Sequence, residues 1–197
     1  PGKRHRDMGT LLALMRSGEG RRKRKRRAVG LASVALVSLG VVGAQALQEQ
    51  ERVAACERDA KRIDEIWNAE AEAELRKAFA AIGVDHASTV ADKVVPWLDR
   101  SRSDLRSARQ ETCLAHEVER TLDASNYARS SWCLEQREVT FASTVDSLRE
   151  PDRLTLQNAV LVSAQLAPAA PCTDPGQLAR MDEPPTAEQR PRLRELQ

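Results

Sequence analysis

RRKRKRR, residues Arg21–Arg27, runs straight into AVGLASVALVSLGVVGAQAL, residues Ala28–Leu47. From Ala28 to Ala44 there is no charge and no amide, only small and aliphatic residues with Ser33 and Ser38. Bilayer hydrocarbon is roughly 30 Å thick, and a helix needs about 20 residues to cross it. Residues 28–47 have that length and are predicted to form a single transmembrane helix. A charge at mid-membrane costs about 2.5–3.5 kcal/mol, so the span stops at Arg27. The positive-inside rule keeps Arg21, Arg22, Lys23, Arg24, Lys25, Arg26 and Arg27 cytoplasmic as the topology signal. The chain after Leu47 is then expected across the membrane, with lipid as the first partner.

The charge balance supports this division. The whole chain carries +2, yet residues 1–27 hold eleven Lys or Arg against Asp7 and Glu19. Basic runs serve nucleic acid, anionic lipid or topology. Here the run abuts an apolar stretch and no folded reader domain flanks it, so nucleic acid is not the expected partner. Ala44-Gln45-Ala46 matches the A-x-A of a signal peptidase site. The alternative is therefore a periplasmic helical interaction protein released by cleavage after Ala46. The apolar stretch exceeds the usual signal core of about 7–15 residues, which favours a retained anchor. Ala28, Ala32, Gly40 and Ala44 recur at small-xxx-small spacing, which permits a homodimer through the span.

Beyond the span the sequence reads as helices. Ile63, Trp67, Ala71, Leu75, Phe79 and Ile82 form a stripe at steps of three and four, predicting one long helix over Gln48–Ile82 that ends at Gly83. A second helix is expected from Ser88 to Leu122. Its buried face would be Val90, Val94, Trp97, Ser101, Leu105, Ala108, Thr112 and Ala115, with a bend at Pro96. Asp123–Asn126 reads as a turn. A third helix, Tyr127–Leu148, faces inward through Leu134, Phe141, Val145 and Leu148. Glu150-Pro151-Asp152 breaks it, and Leu154, Leu161 and Ala164 line a fourth that ends before Pro168. The prolines and glycine of residues 173–186 read as a linker. The expected fold is all-α: a single transmembrane helix followed by a disulfide-linked antiparallel bundle of about four helices.

Cys56, Cys113, Cys133 and Cys172 all follow the span, on the side where disulfides persist. Their spacing fits no metal or CxxC redox motif, and His5, His86 and His116 are scattered, so no metal site is expected. Three pairings are open. Cys113 and Cys133 lie ten residues either side of Asp123, so an antiparallel hairpin brings them level. That favours Cys113–Cys133, leaving Cys56 for Cys172.

Two stretches carry a resemblance. Pro1, Arg4, Asp7, Met8, Leu11 and Leu12 resemble the end of the C-lobe in bacterial serine/threonine protein kinases, with His5 and Arg6 departing from the usual aromatic and proline. Arg4 stands where that family has the C-lobe arginine that pairs with the glutamate of its APE motif. The later order Cys56, Trp67, Ala78-Phe79, Gly83, Cys113, Cys133-Leu134, Ala159-Val160, Leu166 and Cys172 is similar to the extracytoplasmic segment of a transmembrane group of these kinases. Leu105 stands where that group often has a second tryptophan. The resemblance implies that residues 1–15 close a kinase C-lobe and 16–27 form the juxtamembrane linker. Residues 28–47 then span the membrane, 48–172 form the extracytoplasmic domain, 173–186 a linker and 187–197 the start of a tetratricopeptide-type repeat. It implies a bacterial inner-membrane protein with a cytoplasmic N-terminus and a periplasmic C-terminal region. A protein or peptide ligand would bind outside. Catalysis with ATP and Mg would belong to the intact parent, because this chain has no Gly-rich loop, no HRD or DFG motif and no triad. No catalytic residue and no cofactor is assigned within it.

Overall fold

Three side-chain caps at Asn68, Asp123 and Asp152 divide the helical sequence. Each accepts hydrogen bonds from backbone N–H groups that the first helical turn leaves without partners. The computed structural model describes residues 43–186 and 189. The segment 1–15 with Arg4, the basic run Arg21–Arg27, residues 28–42 of the expected span, and all of 187–197 except 189 lie outside the described residues.

Residues 43–61 are helical (α1). A 3-10 turn Arg62–Glu65 follows, then α2 (Ala69–Ala81), α3 (Ala87–Glu117), α4 (Ala124–Arg149) and α5 (Arg153–Ala164). A second 3-10 turn, Ala170–Cys172, leads to the short α6, Pro175–Leu178. No strand occurs among the described residues. The chain forms two units, Pro1–Gln50 and Glu51–Gln197. Of the first, the described residues 43–50 are helical and exposed. Among the described residues no helix is long and apolar enough to cross a membrane.

In the second unit α3 packs against α2, α4 and α5, and α4 packs against α5 and α6. Trp67, Leu75, Phe79, Val94, Leu98, Leu134, Phe141, Val145, Leu148 and Leu156 are all buried in the core. The inward face expected for α4, through Leu134, Phe141, Val145 and Leu148, is the one observed. Gly83 closes α2 with φ +73°, a left-handed conformation that glycine adopts without steric cost.

The sequence reading of these elements needs correction in five places. The single helix expected over Gln48–Ile82 is interrupted at residues 62–68. Asn68 Oδ1 accepts from the N–H groups of Glu70 and Ala71, both at 3.0 Å, while its Nδ2 donates to the Asp64 carbonyl at 3.0 Å. This amide competes with the helical backbone for its own hydrogen bonds and starts a new helix. The α3 helix ends at Glu117 instead of Leu122, because Asp123 caps α4 three residues earlier than the expected start at Tyr127.

Around Pro96 the buried residues are Ala91, Val94, Val95 and Leu98, while Trp97 is 38% exposed. The helix continues through Pro96, and the carbonyl it leaves without a donor is on exposed Asp92. On α5 the expected face is outermost: Leu154 is 65% and Leu161 56% exposed, and Ala164 is exposed. Leu156, Ala159 and Ser163 face inward instead. Two of these are small, which lets α5 sit close to its neighbour α3. Finally, the expected linker is partly folded. Asp174 accepts from the Gln177 N–H at 2.8 Å, Pro175 occupies the first helical turn, and Leu178 is fully buried.

Candidate functional site

All four cysteines are oxidised, but the pairing is Cys56–Cys113 and Cys133–Cys172, each with Cα atoms 5.5 Å apart. This corrects the expected Cys113–Cys133 and Cys56–Cys172. Cys113 and Cys133 do not face each other across the α3–α4 hairpin. The residues that do are Thr112 and Ser130, whose hydroxyls meet at 2.9 Å in the core. One residue along a helix is a rotation of about 100°. Cys113 is therefore turned from Thr112 toward α1, where Cys56 waits. Cys133, three residues past Ser130, turns toward the 3-10 turn that carries Cys172.

The Cys56–Cys113 bridge sits within a longer seam. Arg52 Nη1 donates to the Glu117 carbonyl at 3.2 Å. Arg109 Nε donates to Asp59 Oδ2 at 2.9 Å, and Arg106 Nη1 to Asp64 Oδ2 at 2.9 Å. Trp67 Nε1 donates to Asp99 Oδ1 at 2.9 Å, and Arg76 Nη1 to Asp92 Oδ1 at 2.7 Å. From residue 52 forward to 76 the partners run back along α3 from 117 to 92, so the two ends of the ladder keep the same register. One antiparallel register thus runs across the 3-10 break, and α1 and α2 lie against α3 as consecutive halves of one strip.

Arg109 is the hub of this seam, because it also pairs with Glu138 of α4. Burial alone would push its guanidinium down. The hydrogen bond to Asp59 and the charges of Glu138, Asp59 and Glu135 outweigh that and hold it above its ordinary value. The guanidinium fork suits two carboxylates at once, which a lysine could not match. Arg76 is likewise raised, first by its hydrogen bond to Asp92 and then by Glu72.

A cleft of about 470 Å³ opens between α1, α3 and α4. The Cys56–Cys113 bridge lines it, with Arg52, Asp59, Arg109, Tyr127 and Ser131 around. Its groups are structural by their partners. The His116 ring stacks on Tyr127 with centroids 4.1 Å apart, and Nδ1 meets the Leu122 carbonyl at 3.0 Å. The hydroxyls of Thr112 and Ser130 bind each other. The sulfurs are oxidised, which removes them as nucleophiles. Ser130 holds Thr112, and Asp99 accepts from the indole of Trp67. Among the described residues no group of three His, Cys, Asp or Glu side chains is placed to hold a metal.

What the geometry offers is mechanical: a covalent clamp and a charged ladder that fasten α1 and α2 to α3. The ladder was not read from the sequence. Its signal was present as Asp59 and Asp64 against Arg102, Arg106 and Arg109, but only the pairing register turns those charges into partners. No family model, no curated protein and no solved structure matches the chain.

Proposed function

We propose that this chain is the membrane anchor and extracytoplasmic helical head of a receptor-like serine/threonine protein kinase. The parent would phosphorylate protein Ser or Thr with ATP and Mg on the cytoplasmic side. None of residues 43–186 is assigned to that reaction. Their role is to present a rigid helical unit, to take up a protein or peptide ligand, and to relay its binding toward the span at residues 28–47. Pairing of two copies through that span is the route by which the relay would reach the kinase.

The observation that carries this reading is the pair of disulfides in a wholly helical unit that follows an arginine-flanked apolar stretch. Disulfides persist in oxidising compartments and are rare where thiols are kept reduced. The clamped seam adds to it, since a relay needs an element that moves as one body. The resemblance of residues 1–15 to a kinase C-lobe end points to the catalytic partner.

Two measurements test the proposal. The natural protein should remain in carbonate-washed membranes, and the reading frame upstream of Pro1 should encode a kinase lobe. Recovery of a soluble protein whose amino terminus is Leu47 would replace the anchor with a cleaved periplasmic interaction protein. An upstream frame without a Gly-rich loop and HRD and DFG motifs would remove the kinase.

A further inference from the structure

The two disulfides sit in different surroundings. Cys172 belongs to the hydrophobic core, and Cys133 packs against it. Cys56 and Cys113 stand outside that core, on the wall of the cleft of about 470 Å³. Cys56 is 1% exposed, whereas Cys113 is only partly buried. Cys113 lies within α3, where the helix covers its own backbone, so the surface it exposes belongs to Cβ and Sγ. An oxidised sulfur is no nucleophile, but it is the electrophile that a thiolate attacks. The cleft gives a thiol a way to the Cys113 sulfur.

This bridge is also the chief fastening of α1. Over residues 51–61 only Cys56 and Ala60 are buried, and neither joins the core that begins at Ile63. The ties of this stretch to α3 are otherwise polar. Arg52 donates to the exposed Glu117 carbonyl, and Arg109 pairs with Asp59, whose side chain is 42% exposed. Exposed ion pairs hold little in water. A helical segment this short is marginal when nothing packs on it. The α2–α5 core, by contrast, keeps every one of its apolar contacts when the bridge opens.

We propose that Cys56–Cys113 is a thiol-responsive latch, opened in the folded unit by a dithiol reductant while Cys133–Cys172 stays closed. A thiolate of the reductant attacks Cys113 Sγ, the S–S bond breaks, and Cys56 leaves as a thiolate that takes a proton from water. The reductant's second thiol, once deprotonated, attacks its own sulfur in the mixed disulfide and releases Cys113. Two electrons and two protons pass to the bridge, and the reductant closes its own disulfide. Residues 51–61 then leave α3, and the core stays packed. The latch is a property of the folded unit and stands whether or not residues 28–47 remain as an anchor. In the relay proposed above, an open latch uncouples the head from the segment before it.

The probe is dithiothreitol, titrated into the whole chain in detergent micelles without denaturant. Free thiols are trapped with N-ethylmaleimide and located by peptide mass spectrometry, and hydrogen exchange is followed on the same samples. Cys56 and Cys113 should be trapped at a reductant concentration about ten-fold below that needed for Cys133 and Cys172. Amides of residues 51–61 should then exchange about ten-fold faster or more, while those of α3, α4 and α5 keep their protection. The Cys56→Ser, Cys113→Ser double variant should show the fast exchange over 51–61 with no reductant present. Trapping of Cys133 and Cys172 first or at the same concentration, no trapping short of denaturant, protection over 51–61 unchanged after the bridge opens, or protection lost from α3 and α4 together with α1 would overturn the latch. The wild-type titration decides this even if the double variant fails to fold.

Discussion

Replacing Cys56 and Cys113 together by serine tests both the bridge and its partner choice. The bond closes a loop with a sequence separation of 57. Loop-closure entropy for that length corresponds to about 4 kcal/mol at 25 °C, released to the unfolded chain when the bridge is removed. For a unit of this size 1 kcal/mol moves the thermal midpoint by about 3–4 °C, so the variant should melt roughly 10–15 °C lower. Far-UV circular dichroism follows the transition. Thiol titration under denaturing conditions then separates the pairings. With Cys133 bonded to Cys172, the double variant has no free thiol. With Cys113 bonded to Cys133, the same variant would strand Cys133 and Cys172 as thiols. A midpoint lowered by less than about 3 °C, or free thiol in the freshly purified variant, would refute the reasoning.

Asn68→Ala removes the cap that starts α2 and should lower stability by about 1 kcal/mol in urea titrations, while Asn68→Asp should keep most of it. Arg109→Met leaves Asp59 and Glu138 without their shared cation; a loss of about 2–3 kcal/mol is expected, below the range of about 3–5 kcal/mol for a fully buried pair because Asp59 is partly exposed. Asp123 is held below its ordinary value chiefly by the Asn126 N–H, and Asp152 chiefly by the Thr155 N–H. A depressed carboxylate stabilises the fold above its unfolded value and loses that contribution as pH falls through the folded one. The thermal midpoint should therefore drop in the acid range below the ordinary aspartate value, and the Asp123→Asn, Asp152→Asn double variant, which keeps the caps without titrating, should show a shallower drop.

Parts of this fold were legible because periodicity alone decides them. The stripe Ile63, Trp67, Ala71, Leu75, Phe79 holds across the helix break, since a four-residue step keeps the same face on either side. On α4 the large apolar residues fall on one face, and the reading of Leu134, Phe141, Val145 and Leu148 needed nothing else. The α5 helix has leucines on opposite sides, so its face was chosen by what α3 could accommodate. Ala159 and Ser163 won over Leu154 and Leu161 through close approach, which no single-helix pattern encodes. Asn68 was readable in principle, because an Asn followed by Glu70 and Glu72 in the first turn favours a helix start. The continuous stripe hid it. The disulfides failed because symmetry about Asp123 misplaces the register, which Thr112 and Ser130 centre nearer residue 121, and because pairing also needs each sulfur to point the right way. The candidate site shares that limit, since Asp59 and Asp64 meet Arg109 and Arg106 only once the register of the seam is set.

The central claim is that the helical head is oxidised and lies outside the cytoplasm. Cells producing the chain are quenched in acid and treated with a maleimide–polyethylene glycol reagent with and without prior reduction, then resolved on a gel. The account predicts no mass shift for the chain until reductant is added. Labelling of Cys56, Cys113, Cys133 and Cys172 in the unreduced sample would contradict it.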